Sequence, residues 1–68
     1  MISLACPFYN ESGAIDLFME RLIPIMQSLG VEYEIVCVND GSTDDTLLRL
    51  LDCAQRNRAV RVIDLSRN

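Results

Sequence analysis

Glu34-Ile35-Val36-Cys37-Val38-Asn39-Asp40-Gly41-Ser42-Thr43-Asp44-Asp45-Thr46 is the stretch that decides the architecture of this chain. Its first half is apolar and β-branched, which reads as a strand buried on both faces over residues 34–39. Asp40-Gly41 then breaks the strand. A helix restarts behind it, with Ser42 or Thr43 available as N-cap and Asp44 and Asp45 in the first turn. In open parallel sheets the carboxyl edge, where strand gives way to helix, is where ligands bind. The carboxylate of Asp40 disfavours a phosphate there and favours a hydrogen-bond donor or a metal-bound group. A purely local role, in which Asp40 and Ser42 only make a turn and a cap, accounts for the same residues.

Upstream, residues 2–6 read as a short strand closed by Pro7, which cannot donate to a ladder. A turn follows, with Asn10 or Ser12 as candidate cap and Asp16 near the positive end of the next helix. Over residues 14–29 the apolar positions Ile15, Phe18, Leu22, Met26 and Leu29 recur at steps of three and four, one helical face. Pro24 lies inside that pattern and predicts a kink or a split near Arg21, with Gly30 as the stop. Downstream, a helix over 44–56 turns Leu47, Leu50, Leu51 and Ala54 to the core, and a third strand covers 60–65.

The order β-α-β-α-β with short connections implies an α/β unit: three parallel strands joined by right-handed crossovers. Parallel strands put the turns after the first and second strands on one edge. Residues 7–11 and 39–42 are thus expected to converge, presenting Tyr9, Asn10, Glu11, Asn39, Asp40 and Ser42 together. An aromatic ring beside two carboxylates suits a planar ligand that bears N–H and hydroxyl donors, such as a nucleoside. Two successive crossovers of one hand also leave one sheet face without a helix. The strands carry apolar residues on both faces, Ile35 and Cys37 against Val36 and Val38 in the second and Val60 and Val62 against Ile63 and Leu65 in the third. One apolar face therefore lies uncovered, and the chain is expected to self-associate face to face or through the edge of its first strand, residues 2–6.

Composition narrows the chemistry. A chain of 68 residues holds one small domain at most and buries only about 60% of its unfolded surface. Half of it is hydrophobic, which argues for a core, and its net charge of −4 argues against nucleic acid as a partner. With no Lys and no His, it has no P-loop lysine, Schiff base or histidine base. G-x-G-x-x-G is absent, since the glycines stand at 13, 30 and 41, so a dinucleotide site is disfavoured. Cys6, Cys37 and Cys53 are odd in number and form no C-x-x-C, which points to free thiols in a reducing compartment. No apolar run approaches the ~18 residues of a membrane span and no signal peptide is evident, so the chain reads as cytoplasmic.

Pro7-Phe8-Tyr9-Asn10-Glu11, the Tyr33–Thr46 stretch ending in D-G-S-T-D-D-T, and Asp64-Leu65-Ser66-Arg67-Asn68 resemble, in register, the family 2 glycosyltransferases of the GT-A fold. The likeness is nearest to the polyprenyl-phosphate sugar transferases, acting on dolichol or undecaprenyl phosphate. It implies that this chain is the N-terminal, nucleotide-binding portion of a Rossmann-like GT-A domain. It further implies that Pro7, Tyr9 and Glu11 line a base and ribose pocket from the first turn, and Val38 and Asp40 from the second, with Asp40 taking a base N–H. Asn39 departs from the commoner Asp at its place but can still accept a hydrogen bond. The donor implied is a UDP- or GDP-sugar, the acceptor a polyprenyl phosphate, and the cofactor Mg²⁺ or Mn²⁺ in the complete enzyme. The family's D-x-D metal site and its acceptor-side residues lie further along such chains, so no metal ligand or catalytic residue is assigned here. This portion alone is expected to bind no metal and to be inactive. The parent enzyme is expected at the cytoplasmic face of the inner membrane. The membrane helices common toward the C-terminus of such transferases would lie further along, and their presence or absence separates a polyprenyl-phosphate acceptor from a soluble one. Two other readings keep the same fold: a non-catalytic remnant or interaction module, and a transferase acting on a polysaccharide or soluble acceptor.

Overall fold

The computed structural model describes residues 1–65. Ser66, Arg67 and Asn68, the end of the third quoted segment, lie outside the described residues. The elements are β1 (Ile2–Phe8), α1 (Ser12–Ser28), β2 (Tyr33–Asn39), α2 (Thr46–Arg56) and β3 (Val60–Asp64). The sheet order is β1-β2-β3, and both pairings are parallel. Gly30 follows α1 at φ 71°, the left-handed conformation that ends a helix at little cost for glycine.

Alternation along the strands sorts the two faces. Leu4, Ile35 and Val60 are register partners, as are Cys6, Cys37 and Val62, and all six pack into or against the core on the helix side. Ile15, Met19 and Met26 of α1 and Leu50 and Cys53 of α2 close that side, and Phe8 meets Phe18 edge-on at a centroid distance of 5.6 Å. On the opposite face the partners run Ser3–Glu34, then Ala5–Val36–Arg61, then Pro7–Val38–Ile63. No described element covers it. Glu34 accepts there from the Ser3 hydroxyl and pairs with Arg61 at 3.5 Å.

Several local expectations need correction. Pro7 does not close β1, which continues through Phe8. Ile2 donates to Glu32 and Phe8 accepts from Asp40, both at 3.0 Å, so the even-numbered residues carry the ladder to β2. The nitrogen of Pro7 therefore faces the outer edge, where a missing N–H breaks nothing. Pro24 neither splits nor ends α1, which is a single helix of 17 residues. The carbonyl of Glu20, which loses its i+4 donor to the proline, belongs to an exposed residue, so the missing bond leaves no buried acceptor.

The core faces also rotate slightly from the periodic reading. Leu29 (49% exposed) and Leu51 (45%) stand outside, whereas Met19 and Cys53 are buried. Helix α2 begins at Thr46, two residues later than its charge pattern suggests, and Asp44 and Asp45 precede it.

All three cysteines are free thiols, with Cys37 and Cys53 buried and Cys6 partly so. Burial pushes the Cys37 thiol up to about 12 from the ordinary 9.0, because a thiolate would be desolvated there. Between those values the unfolded chain loses its proton and the folded chain keeps it. The stability from a neutral Cys37 is thus complete below pH 9 and lost as pH rises toward 12. Urea midpoints measured from pH 8 to 11 should fall, and Cys37→Ala should flatten that fall. An equal slope in the variant would show that other groups cause it.

Candidate functional site

The turns after β1 and β2 not only converge but are tied together. Asn10 takes up φ 51°, a left-handed conformation that Asn tolerates better than most residues. That lets its backbone N–H donate to the Ser42 hydroxyl at 2.9 Å. Its side-chain Oδ1 accepts from the Thr43 N–H at 2.7 Å and from the Thr43 hydroxyl at 3.3 Å. One residue on, the Glu11 N–H donates to Thr46 Oγ1 at 3.0 Å. Thr46 is fully buried; its hydroxyl donates to Asp44 Oδ1, which also accepts the Thr46 N–H at 2.9 Å. A run of bonds thus passes from the start of α1 to the start of α2 across 35 positions of sequence.

This clasp revises the expected capping. Ser42 and Thr43 do not cap α2, and Asn10 does not cap α1, because all three bond across the two turns instead. Glu11 and Asp45 are the residues at the two N-cap positions, without side-chain caps of their own. Asp44 is held below its ordinary pKa first by the Thr46 hydroxyl and then by backbone and Ser12 donors. Asp45 is held low first by the Ser12 hydroxyl, with Arg49 adding to it. Both carboxyls ionise more easily in the folded chain than in the unfolded one. Their contribution is therefore present above the ordinary carboxylate pKa and fades as pH falls through the lowered values.

The five residues singled out for a nucleotide lie around this clasp. Pro7 and Val38 are register partners on the face that no helix covers. Tyr9 and Asp40 follow each of them by two residues, both exposed, and Asp40 is anchored through its backbone N–H to Phe8 O at 3.0 Å. Tyr9 is 59% exposed, so its ring is available to a partner. Glu11 stands exposed at the start of α1. The edge therefore offers an aromatic ring, two carboxylates and a small apolar floor.

Asn39 does not belong to that display, contrary to its expected place on the edge. It is 1% exposed, and its Nδ2 donates to Asp64 Oδ1 at 3.0 Å. An aspartate at 39 would set two carboxylates against each other at that distance, whereas the amide supplies a donor. The Asn is thus suited to its neighbour on β3 rather than to a ligand.

A metal does not fit the acidic pair Asp44-Asp45. Asp44 is occupied by the Thr46 donors and Asp45 by Arg49 at 3.2 Å. Among the described residues, no three His, Cys, Asp or Glu side chains gather closely enough to hold an ion. A separate open groove of about 530 Å³ lies between α1 and α2, lined by Asp16, Met19, Glu20, Pro24, Cys53 and Arg56 among others. It shares no residue with the clasped turns, and the convergent polar groups are at the turns.

Sequence reasoning missed Thr46 and Asp44 as parts of the site. The only signal was the T at the end of D-G-S-T-D-D-T, which reads equally well as an ordinary helix residue.

Comparison with known proteins gives the family. Residues 3–68 match the model of the family described as glycosyl transferase family 2. A protein of Synechocystis named as an uncharacterized glycosyltransferase is 45% identical over 67 residues, covering 98% of this chain and 21% of the relative. The undecaprenyl-phosphate 4-deoxy-4-formamido-L-arabinose transferase of Edwardsiella ictaluri is 41% identical over 69 residues, with the same shares of 98% and 21%. The chain spans about a fifth of the length of these curated relatives. Among the described residues, no helix is long and apolar enough to cross a membrane. A β-α-β-α-β sheet, two turns clasped at its carboxyl edge and a family match over nearly every residue lead to one assignment: the chain belongs to glycosyl transferase family 2.

Proposed function

We propose that this chain forms the nucleotide-holding part of a glycosyltransferase that moves a sugar from a UDP- or GDP-sugar to a polyprenyl phosphate at the cytoplasmic face of a membrane. The observation that carries the reading is the clasp, which fixes Tyr9 and Glu11 beside Asp40 on one edge. A planar base can lie against the Tyr9 ring. Asp40 can accept from a base N–H, and Glu11 from ribose hydroxyls. Pro7 and Val38 supply the apolar floor beneath them. The acceptor class follows the printed name of the Edwardsiella relative, whose own acceptor is undecaprenyl phosphate. Mg²⁺ or Mn²⁺ belongs to this reading as cofactor of the whole enzyme, held by residues other than 1–65; Asp44 and Asp45 are not its ligands.

Asp40→Asn in the protein that carries this chain tests the assignment. The amide keeps the shape and removes the charge, so the loss is that of a charge-assisted hydrogen bond, about 1.5–3 kcal/mol of nucleotide binding. Calorimetric titration with UDP and GDP reads it, and circular dichroism checks the fold, which Gly41 at φ 73° already permits to turn. Unchanged affinity in a folded variant would remove Asp40 from the site. Wild-type protein that binds neither nucleotide would favour the non-catalytic reading.

A further inference from the structure

We infer that Thr46 is a positioning residue of the nucleotide site, with Asn10 as its counterpart on the first turn. The inference rests on the proposed function above and goes beyond it, because neither residue is asked to touch the ligand. Thr46 is 0% exposed and sits at the first position of α2. Its hydroxyl accepts the Glu11 N–H at 3.0 Å and donates to Asp44. A hydroxyl is needed for both bonds at once: one lone pair for the N–H, one proton for the carboxylate. The backbone of Glu11 is thereby referred to α2 rather than left to the turn alone.

Asn10 does the same one residue earlier. Its left-handed backbone aims the N–H at Ser42, and its side-chain oxygen holds the Thr43 N–H. Together with the Asp40 N–H on Phe8 O, these contacts tie the turn that carries Tyr9 and Glu11 to the turn that carries Asp40. Remaining freedom between the two turns would have to be frozen when a nucleotide binds, which costs affinity. A clasp already closed removes that cost in advance.

The test uses the protein that carries this chain, with UDP and GDP as probes in calorimetric titration and urea midpoints measured in parallel. Thr46→Val keeps the size and β-branching but loses the hydroxyl; Thr46→Ser keeps the hydroxyl. Asn10→Gly keeps the left-handed backbone and loses the Oδ1 acceptor, at an exposed place where folding is not at risk. Thr46→Val and Asn10→Gly should each weaken the nucleotide that wild type binds by about tenfold, and Thr46→Ser should recover most of that loss. A residue that only stabilised the fold would shift the urea midpoint and leave the affinity of the folded fraction unchanged. Wild-type affinity in folded Thr46→Val and Asn10→Gly overturns the inference, as does a Thr46→Ser variant as weak as Thr46→Val. If Thr46→Val does not fold, Asn10→Gly decides alone. Failure of wild type to bind either probe removes the function reading itself, an outcome visible before any variant is compared.

Discussion

Leu50→Ala is expected to cost the chain most of its stability, while Leu51→Ala, one residue along, should cost little. Leu50 is completely buried against both the sheet and α1, whereas Leu51 is 45% exposed. Truncating a buried Leu removes its transfer free energy and leaves a cavity, typically about 2–5 kcal/mol. A domain of 68 residues has roughly 3–10 kcal/mol in total, at the usual stability per residue. The larger figure in the first range therefore exceeds the smaller figure in the second. A partly exposed Leu gives up much less, because water already touches it in the folded state. Urea titration followed by circular dichroism separates the two variants directly. Equal midpoints for both would mean that α2 is rotated from the position described.

The second large effect concerns the helix-free face of the sheet. Ala5, Pro7, Val36, Val38 and Ile63 form a continuous apolar strip across three strands, and Ile63 is 48% exposed. The outer edge of β1, beside which no other described strand lies, can template another strand. A strip of this kind drives association, because removing it from water releases about 25 cal/mol for each Å² covered. The 68-residue chain is accordingly expected to sediment as a dimer or larger assembly at micromolar concentration. Val36→Glu should shift it toward monomer. That substitution puts a carboxylate in the middle of the strip, beside its register partner Arg61, which can pair with it. A wild-type chain that sediments as a cooperatively unfolding monomer would show that the face tolerates water. If it associates, its unfolding midpoint should also rise with concentration.

The two predictions are linked by topology. Successive crossovers of one hand stack α1 and α2 on a single side, where Leu4, Cys6, Phe8, Ile35, Cys37, Val60 and Val62 pack into or against the core. The same handedness leaves the other side bare. Pro7 and Val38 lie there, at the carboxyl edge. The surface proposed to receive a nucleotide is thus continuous with the surface expected to associate.

Much of this was decided by the amino-acid order alone. The apolar, β-branched run 35–38, bounded by Asp40-Gly41, reads as a buried strand, and alternating strand and helix patterns left parallel pairing as the consistent outcome. Parallel pairing in turn brings residues 7–11 to residues 39–42, since every strand then ends on the same edge. Other matters could not be read locally. Whether Pro7 ends a strand depends on which side its nitrogen faces, and only the pairing with β2 determines that. Whether Leu51 or Cys53 joins the core depends on how α2 is rotated against the sheet, a choice of tens of degrees within one amphipathic pattern. Whether Asn10, Ser42 and Thr43 cap their own helices or reach across depends on which partner lies closer. Short polar side chains serve both uses with nearly equal energy, so nearest neighbours in sequence cannot settle it. Asn39 and Thr46 make the point most sharply: each reads as an ordinary polar residue, and each is buried because a partner 25 or 35 residues away supplies its hydrogen bond.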